Sequence, residues 1–222
     1  GCLFMVVGII DHELGTRDIR KLGGLLQLMP ISFLLAVIGS FAMAGLPPFN
    51  GFLSKELFFT AVLNAVKMNI FHMETWGVLL VFLAWIASVF TFIYCMTMLF
   101  KTFAGVPKGR KLKKKVHEAP IGMLISPSIL AGLVIAMFCY PNFFSKHLLQ
   151  PAWEAVLPTF ATSGLLQIEI SAWHGLNTEL LMTIGVVAVG TLLYKTIRKW
   201  YGIYRYYPTA LTLNNMYEFS GV

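Results

Sequence analysis

The sequence Gly45-Leu46-Pro47-Pro48-Phe49-Asn50-Gly51-Phe52-Leu53-Ser54-Lys55-Glu56 interrupts an otherwise apolar stretch, residues 30–65. Pro47 and Pro48 lack backbone donors, and Gly45 and Gly51 are poor helix formers, so the backbone must open here. An ammonium and a carboxylate follow at once. A charge at bilayer depth costs at least ~2.5–3.5 kcal/mol on insertion scales, so it is rare without a role. Open backbone at that depth is tolerated only against protein or a water-filled cavity. The stretch reads as a membrane helix broken in the middle, with its chemistry at the break.

The rest of the chain agrees with a membrane setting. Of its 222 residues, 57% are hydrophobic, 14% aromatic and 12% charged, with a mean hydropathy of +0.73. Soluble domains carry about 25% charged residues, and this composition cannot coat a core of that size with polar surface. An ordinary soluble enzyme, a disordered chain and a fibrous one are all excluded. Long apolar blocks, in place of alternating ten-residue strands, point to helices and away from a membrane barrel. The fold class is all-α: a polytopic transmembrane helical bundle with one Pro/Gly-interrupted helix and a partial first span.

About 20 apolar residues are needed to span a bilayer as a helix. Spans are expected at about 1–10, 30–65 (broken), 76–103, 120–144 and 178–197. Residues 1–104 group as one transmembrane part, 105–119 as a basic cytoplasmic loop, and 120–222 as later helices with an external segment and a cytoplasmic tail. Residues 1–10 are apolar from the start, without the charged beginning of a signal peptide, so the chain reads as the later part of a longer polypeptide. Residues 148–160, with Pro151 and Pro158, are too short to span and are expected at the outer surface. Trp200, Tyr201, Tyr204, Tyr206 and Tyr207 read as an interfacial aromatic belt.

Charge chooses the topology. If 30–65 crosses once, Arg17, Arg20, Lys21, the seven basic residues from Lys101 to Lys115, Lys195, Arg198, Lys199 and Arg205 share one side. That makes fourteen, against Lys67 and Lys146 on the other. A hairpin that crosses twice gives eleven against five. The positive-inside rule prefers the single crossing, with the basic side cytoplasmic. Length argues the other way, since 36 residues of continuous helix reach about 54 Å against a hydrocarbon core of roughly 30 Å. The run Lys108–Lys115 and the net charge of +7 follow from topology and do not indicate nucleic acid.

Lys55 is the sole basic residue inside an apolar stretch. A half-helix starting near residues 50–54 puts it in the first turn, where the positive helix end and partial desolvation both disfavour the charged ammonium. Glu56 pulls the other way. A lysine balanced in this manner can exchange a proton during a working cycle. The competing reading is a lysine snorkelling to an interface. His174, just before the last span, is a weaker candidate because imidazole titrates near neutrality. His12, His72 and His117 fall in polar loops without spaced partners, and Asp11, Glu13 and Asp18 read as a solvated loop. Cys2, Cys95 and Cys139 form no CxxC, so neither disulfides nor a metal site is expected. No phosphate loop, dinucleotide fingerprint, zinc motif or nucleophile elbow is present. No catalytic residue and no cofactor is assigned.

These residues carry a resemblance. Asp18-Ile19-Arg20-Lys21-Leu22-Gly23-Gly24-Leu25, then Met29-Pro30, then Met43-Ala44-Gly45 through Lys55-Glu56, resembles the antiporter-like subunits shared by respiratory complex I and the multisubunit Mrp-type cation/proton antiporters. Ile10-Asp11-His12-Glu13, Gly15-Thr16-Arg17-Asp18 and Trp173-His174-Gly175 resemble the Mrp branch. The resemblance implies that residues 30–65 form the family's interrupted twelfth helix, with Lys55 in a buried proton relay. It also implies exchange of H+ for Na+, with K+ or Li+ as further cations, by a multisubunit complex in the cell membrane and without ATP. The family's earlier glutamate and lysine helices do not occur in this sequence, so a complete proton path is not expected from these residues alone. Two other readings stand beside this one: a proton-pumping subunit of NADH:quinone oxidoreductase or a related hydrogenase, and a structural assembly subunit without an ion path.

Overall fold

The computed structural model describes residues 1–16, 18–19, 22–66, 73–104, 117–156 and 177–200. Among them the chain forms α1 (Cys2–Leu14), α2 (Pro30–Ala44), α3 (Asn50–Val66), α4 (Met73–Phe103), α5 (Ile121–Cys139), α6 (Pro141–Phe144), a π-helical turn (Ser145–Leu149), α7 (Gln150–Val156) and α8 (Thr178–Trp200). The regular structure of the described residues is helical throughout. Among the described residues, three segments are long and apolar enough to cross a bilayer: Gly77–Phe103, Ile121–Cys139 and Thr178–Thr196. The protein is a polytopic membrane protein of helical architecture.

The helix break forms where the prolines and glycines fall. At the end of α2, Gly45 adopts φ +75°, its N–H bonds to Ala42 O at 3.1 Å, and Leu46 N–H bonds to Phe41 O at 3.0 Å. This is the Schellman arrangement, which a glycine enters without the Cβ penalty of a left-handed residue. Pro47 and Pro48 then forbid continuation, and α3 starts at Asn50.

The long helix α4 orders everything around it. Its C-terminal end meets the start of α2: Leu26 N–H bonds to Phe103 O at 3.0 Å, Gly24 N–H to Ala104 O at 3.4 Å, and the Phe33 and Phe103 rings lie 5.4 Å apart. Its middle packs on both sides of the break, where Ala44 and Phe59 share a core with Val89, Phe92, Cys95 and Met96. Its first half faces the far part of α3 at Leu63 and Asn64. Helices of 15 and 17 residues in succession reach about 22 Å and 25 Å, and 31 residues of α4 reach about 46 Å. The two halves therefore run one after the other along a single antiparallel helix; they do not fold back on each other. The broken pair and α4 both exceed the hydrocarbon thickness, which tilt and extension into the interface accommodate.

On the other flank, α1 runs antiparallel to α2 and α5. Leu3 packs on Gly39, Met5 Sδ accepts from Ser126 Oγ at 3.3 Å, and Val6, Ile9, Ile10 and Leu14 join Leu25, Met29, Leu35, Leu124 and Ala131 in one core. The ends of α1 and α4 and the starts of α2 and α5 thus share one end of the bundle, while the starts of α4 and α8 share the other.

Two expectations need correction. The first helix does not stop near Ile10 but continues to Leu14, so Asp11, His12 and Glu13 are helical and not a solvated loop. Glu13 is only 5% exposed. Nor are His12 and His117 without partners: their Nδ1 atoms lie 2.9 Å and 3.4 Å from the two oxygens of the Glu13 carboxylate. A charged residue between apolar ones reads as a loop until a partner more than 100 positions away satisfies it.

Candidate functional site

The Schellman turn satisfies the carbonyls of Phe41 and Ala42 but not that of Ala44. Lys55, six residues into α3, turns back across the break and donates from Nζ to Ala44 O at 2.7 Å. Its half-buried side chain reaches that carbonyl by lying over Gly45, where an added Cβ would overlap the lysine Cδ. The ammonium sits at the negative end of α2, where a cation is favoured. Sequence position alone sets it against the positive end of α3. The carbonyl end of a half-helix taking a cation is a recurring device of interrupted transport helices.

Gly51 serves the same geometry from the other side. A Cβ there would collide with the Ala42 carbonyl, so only glycine lets α3 begin so close to the end of α2. Pro47 and Pro48 are exposed on the outside of the bend. Phe49 is buried, edge-on to Phe41 with ring centroids 6.2 Å apart. Glu56 is half-buried on the next position of α3, and its backbone carbonyl accepts from Thr60 Oγ at 3.0 Å. Of the residues singled out from the sequence, Gly45, Gly51 and Lys55 meet at the break. His174, His72, the 108–115 basic run and Tyr201, Tyr204, Tyr206 and Tyr207 lie outside the described residues.

Three carboxylates matter: Glu118 and Glu179, which sequence reading passed over, and Glu13, which it placed in a solvated loop. Glu118 accepts from Ile31 N–H at 2.8 Å and from Ser32 Oγ at 2.6 Å, and so caps the start of α2 from 86 or more positions away. Glu13 ties the end of α1 to His117. Glu179, in the first turn of α8, lies 3.2 Å from Thr60 Oγ, shares that hydroxyl's one proton with the Glu56 carbonyl, and joins α8 to α3. Glu13 and Glu118 could not have been paired from spacing. The i, i+4 succession of Glu56, Thr60 and Asn64 was a legible signal for a polar stripe on α3. Among the described residues, no group of three or more His, Cys, Asp or Glu side chains is arranged to hold a metal ion.

Residues 1–84 match a family model described as NADH:quinone oxidoreductase/Mrp antiporter, TM. Among curated proteins, the chain is 54% identical over 98% of its length to an Na(+)/H(+) antiporter subunit from Bacillus subtilis, of which it covers 27%. It is 56% identical over 99% of its length to the corresponding Na(+)/H(+) antiporter subunit from Alkalihalophilus pseudofirmus, of which it covers 28%. The chain therefore spans little more than a quarter of these relatives. Among solved structures, it resembles a chain of the Mrp complex from Dietzia sp. DQ12-45-1b, with TM-score 0.66 and 27% identity, covering 99% of this chain and 22% of that one. A chain of an archaeal membrane-bound sulfane sulfur reductase shares the fold, with TM-score 0.51 and 19% identity, covering 98% of this chain and 43% of that one.

Proposed function

We infer the function of this chain from the match of residues 1–84 to the NADH:quinone oxidoreductase/Mrp antiporter transmembrane family. It is part of a cation/proton antiporter subunit that exchanges H+ for Na+ across the membrane within a multisubunit complex. The names of its Bacillus and Alkalihalophilus relatives support this reading. One observation carries the mechanism: within the matched segment, Lys55 Nζ rests on the carbonyl freed by the helix break.

In this reading α2, the break and α3 form one interrupted crossing, with the shared ends of α1 and α4 on the cytoplasmic side. The bonds between residues 24–26 and 103–104 support that topology. Protonated Lys55 is held by the α2 carbonyl end. Loss of the proton removes the charge that holds the amine there, so the side chain can swing away from Ala44 toward an acceptor supplied by the rest of the complex. Reprotonation returns it. Glu56 and His174 are the lesser members of the same relay. A moving lysine over an interrupted backbone couples proton transfer to the opening of the break, and coupling to the cation is electrostatic.

A second reading follows from the breadth of the family, which includes NADH:quinone oxidoreductase: a proton pump driven by electron transfer. The two separate cleanly in de-energised vesicles carrying the whole complex. Antiport predicts that a pulse of Na+ moves protons without any electron donor. Pumping predicts no response to Na+ and a response to an electron donor.

A further inference from the structure

Hydroxyls inside these helices turn back on their own backbone. Ser88, Thr91, Thr183 and Thr196 each donate to the carbonyl four residues earlier, at 2.9 to 3.1 Å. Ser32 donates to Glu118 instead. Ser40 does neither: it is wholly buried, and among the described residues its Oγ has no hydrogen-bond partner. Native proteins rarely leave a buried hydroxyl in that state. Ser40 belongs to the buried stripe Ala36, Ser40 and Ala44, spaced one turn apart on α2. Ala36 shares a core with Leu99 and Phe103, and Ala44 shares one with Cys95 and Met96. This face of α2 therefore lies against α4, with the hydroxyl between two apolar clusters. One turn further on is Ala44 O, the acceptor of Lys55 Nζ. Cys95, wholly buried on α4, stands within electrostatic range of the same amine.

We propose that Ser40 holds a buried water molecule between α2 and α4, and that this water is the first hydrogen-bond partner of the Lys55 amine when it leaves Ala44 O; the proposal deepens the antiport reading and rests on it. Ser40 and Ala44 are four residues apart, a rise of about 6 Å along the helix. Two hydrogen bonds in series, hydroxyl to water and water to amine, cover about 5.5–6 Å. One water therefore joins the Ser40 hydroxyl to an amine lying over Ala44. The two partners suit the two charge states of the lysine. A carbonyl only accepts and an ammonium only donates, so Ala44 O holds the charged form. The neutral amine carries a lone pair, which a carbonyl cannot satisfy and a water can. A buried water makes about three hydrogen bonds. The Ser40 hydroxyl, the amine and the weakly bonding Cys95 thiol are the side chains that supply them.

The competing account is a dry hydroxyl that merely fills space, and two measurements on the whole complex separate them. The first is a cryo-EM map at a resolution that shows ordered water. The site requires a water at about 2.8 Å from Ser40 Oγ; a hydroxyl turned back onto Ala36 O with no water beside it overturns the proposal. The second is Na+-driven proton movement in vesicles at equal complex content. Ser40→Ala should slow exchange by about threefold to tenfold, the worth of one hydrogen bond. A dry hydroxyl predicts wild-type exchange in that variant, with an unchanged or raised melting temperature, and that result overturns the water's role even where the map shows water. Should Ser40→Ala fail to assemble, the map decides alone. A wild-type complex without Na+-dependent proton movement overturns the antiport reading, and with it the role of the water, whereas the map still decides whether the water is there.

Discussion

Lys55 and Gly45 depend on each other. The lysine stem occupies the space a Cβ would take at residue 45, and the backbone there has φ +75°. Gly45→Ala should cost about 1–2 kcal/mol from the left-handed backbone alone, and the new methyl group must also push Nζ off Ala44 O. The expected outcome is a lower melting temperature together with exchange as impaired as in a Lys55 variant. A melting shift with normal exchange would separate the glycine from the lysine. Lys55 was legible in the sequence because it is the one basic residue inside an apolar stretch. Its acceptor was not, since a particular backbone turn selects the Ala44 carbonyl. For the same reason, the sequence weighed the wrong helix end as its electrostatic neighbour.

Carboxylates from distant positions tie down two helix ends. Glu118 closes the start of α2 by accepting from Ile31 N–H and Ser32 Oγ. Glu118→Ala should destabilise the protein by about 0.5–2 kcal/mol, the usual cost of a lost N-terminal cap, visible as a fall in melting temperature. Glu118→Gln, which keeps one acceptor oxygen, should recover part of it. The cluster of Glu13 with His12 and His117 behaves differently. The histidine side chains are 61% and 70% exposed, so His117→Ala alone should cost less than about 1 kcal/mol. The boundaries of α2 and α3 were readable because prolines and glycines act through local backbone geometry. The end of α1 was not, because polar residues 11–13 imitate a loop and one partner of the buried Glu13, His117, lies in a segment that follows α4.

Over the whole molecule, the decisive relation is that α4 runs the length of both half-helices. Residues 24–26 and 103–104 are hydrogen-bonded to each other, so they lie at one end of the bundle, and the proposed single crossing, which the count of basic residues favours, puts both on one side of the membrane. In a Cys139→Ser background, a membrane-impermeant maleimide should label Gln27→Cys and Ala104→Cys from the same side and Glu154→Cys from the opposite side. Labelling of Gln27→Cys and Ala104→Cys from opposite sides would restore the hairpin. The sequence could favour one crossing through charge but could not reconcile it with length. The answer lies in a helix of 31 residues that is as overlong as the broken pair beside it.

The relay itself comes down to the amine of Lys55. The most direct measurement is Na+-driven proton movement in vesicles carrying the complete complex, with Lys55→Ala compared to wild type at equal complex content. A proton-carrying lysine requires a fall of at least ~10-fold, with the subunits still copurifying. Wild-type exchange by the assembled Lys55→Ala complex would contradict it and leave α2 and α3 as scaffold.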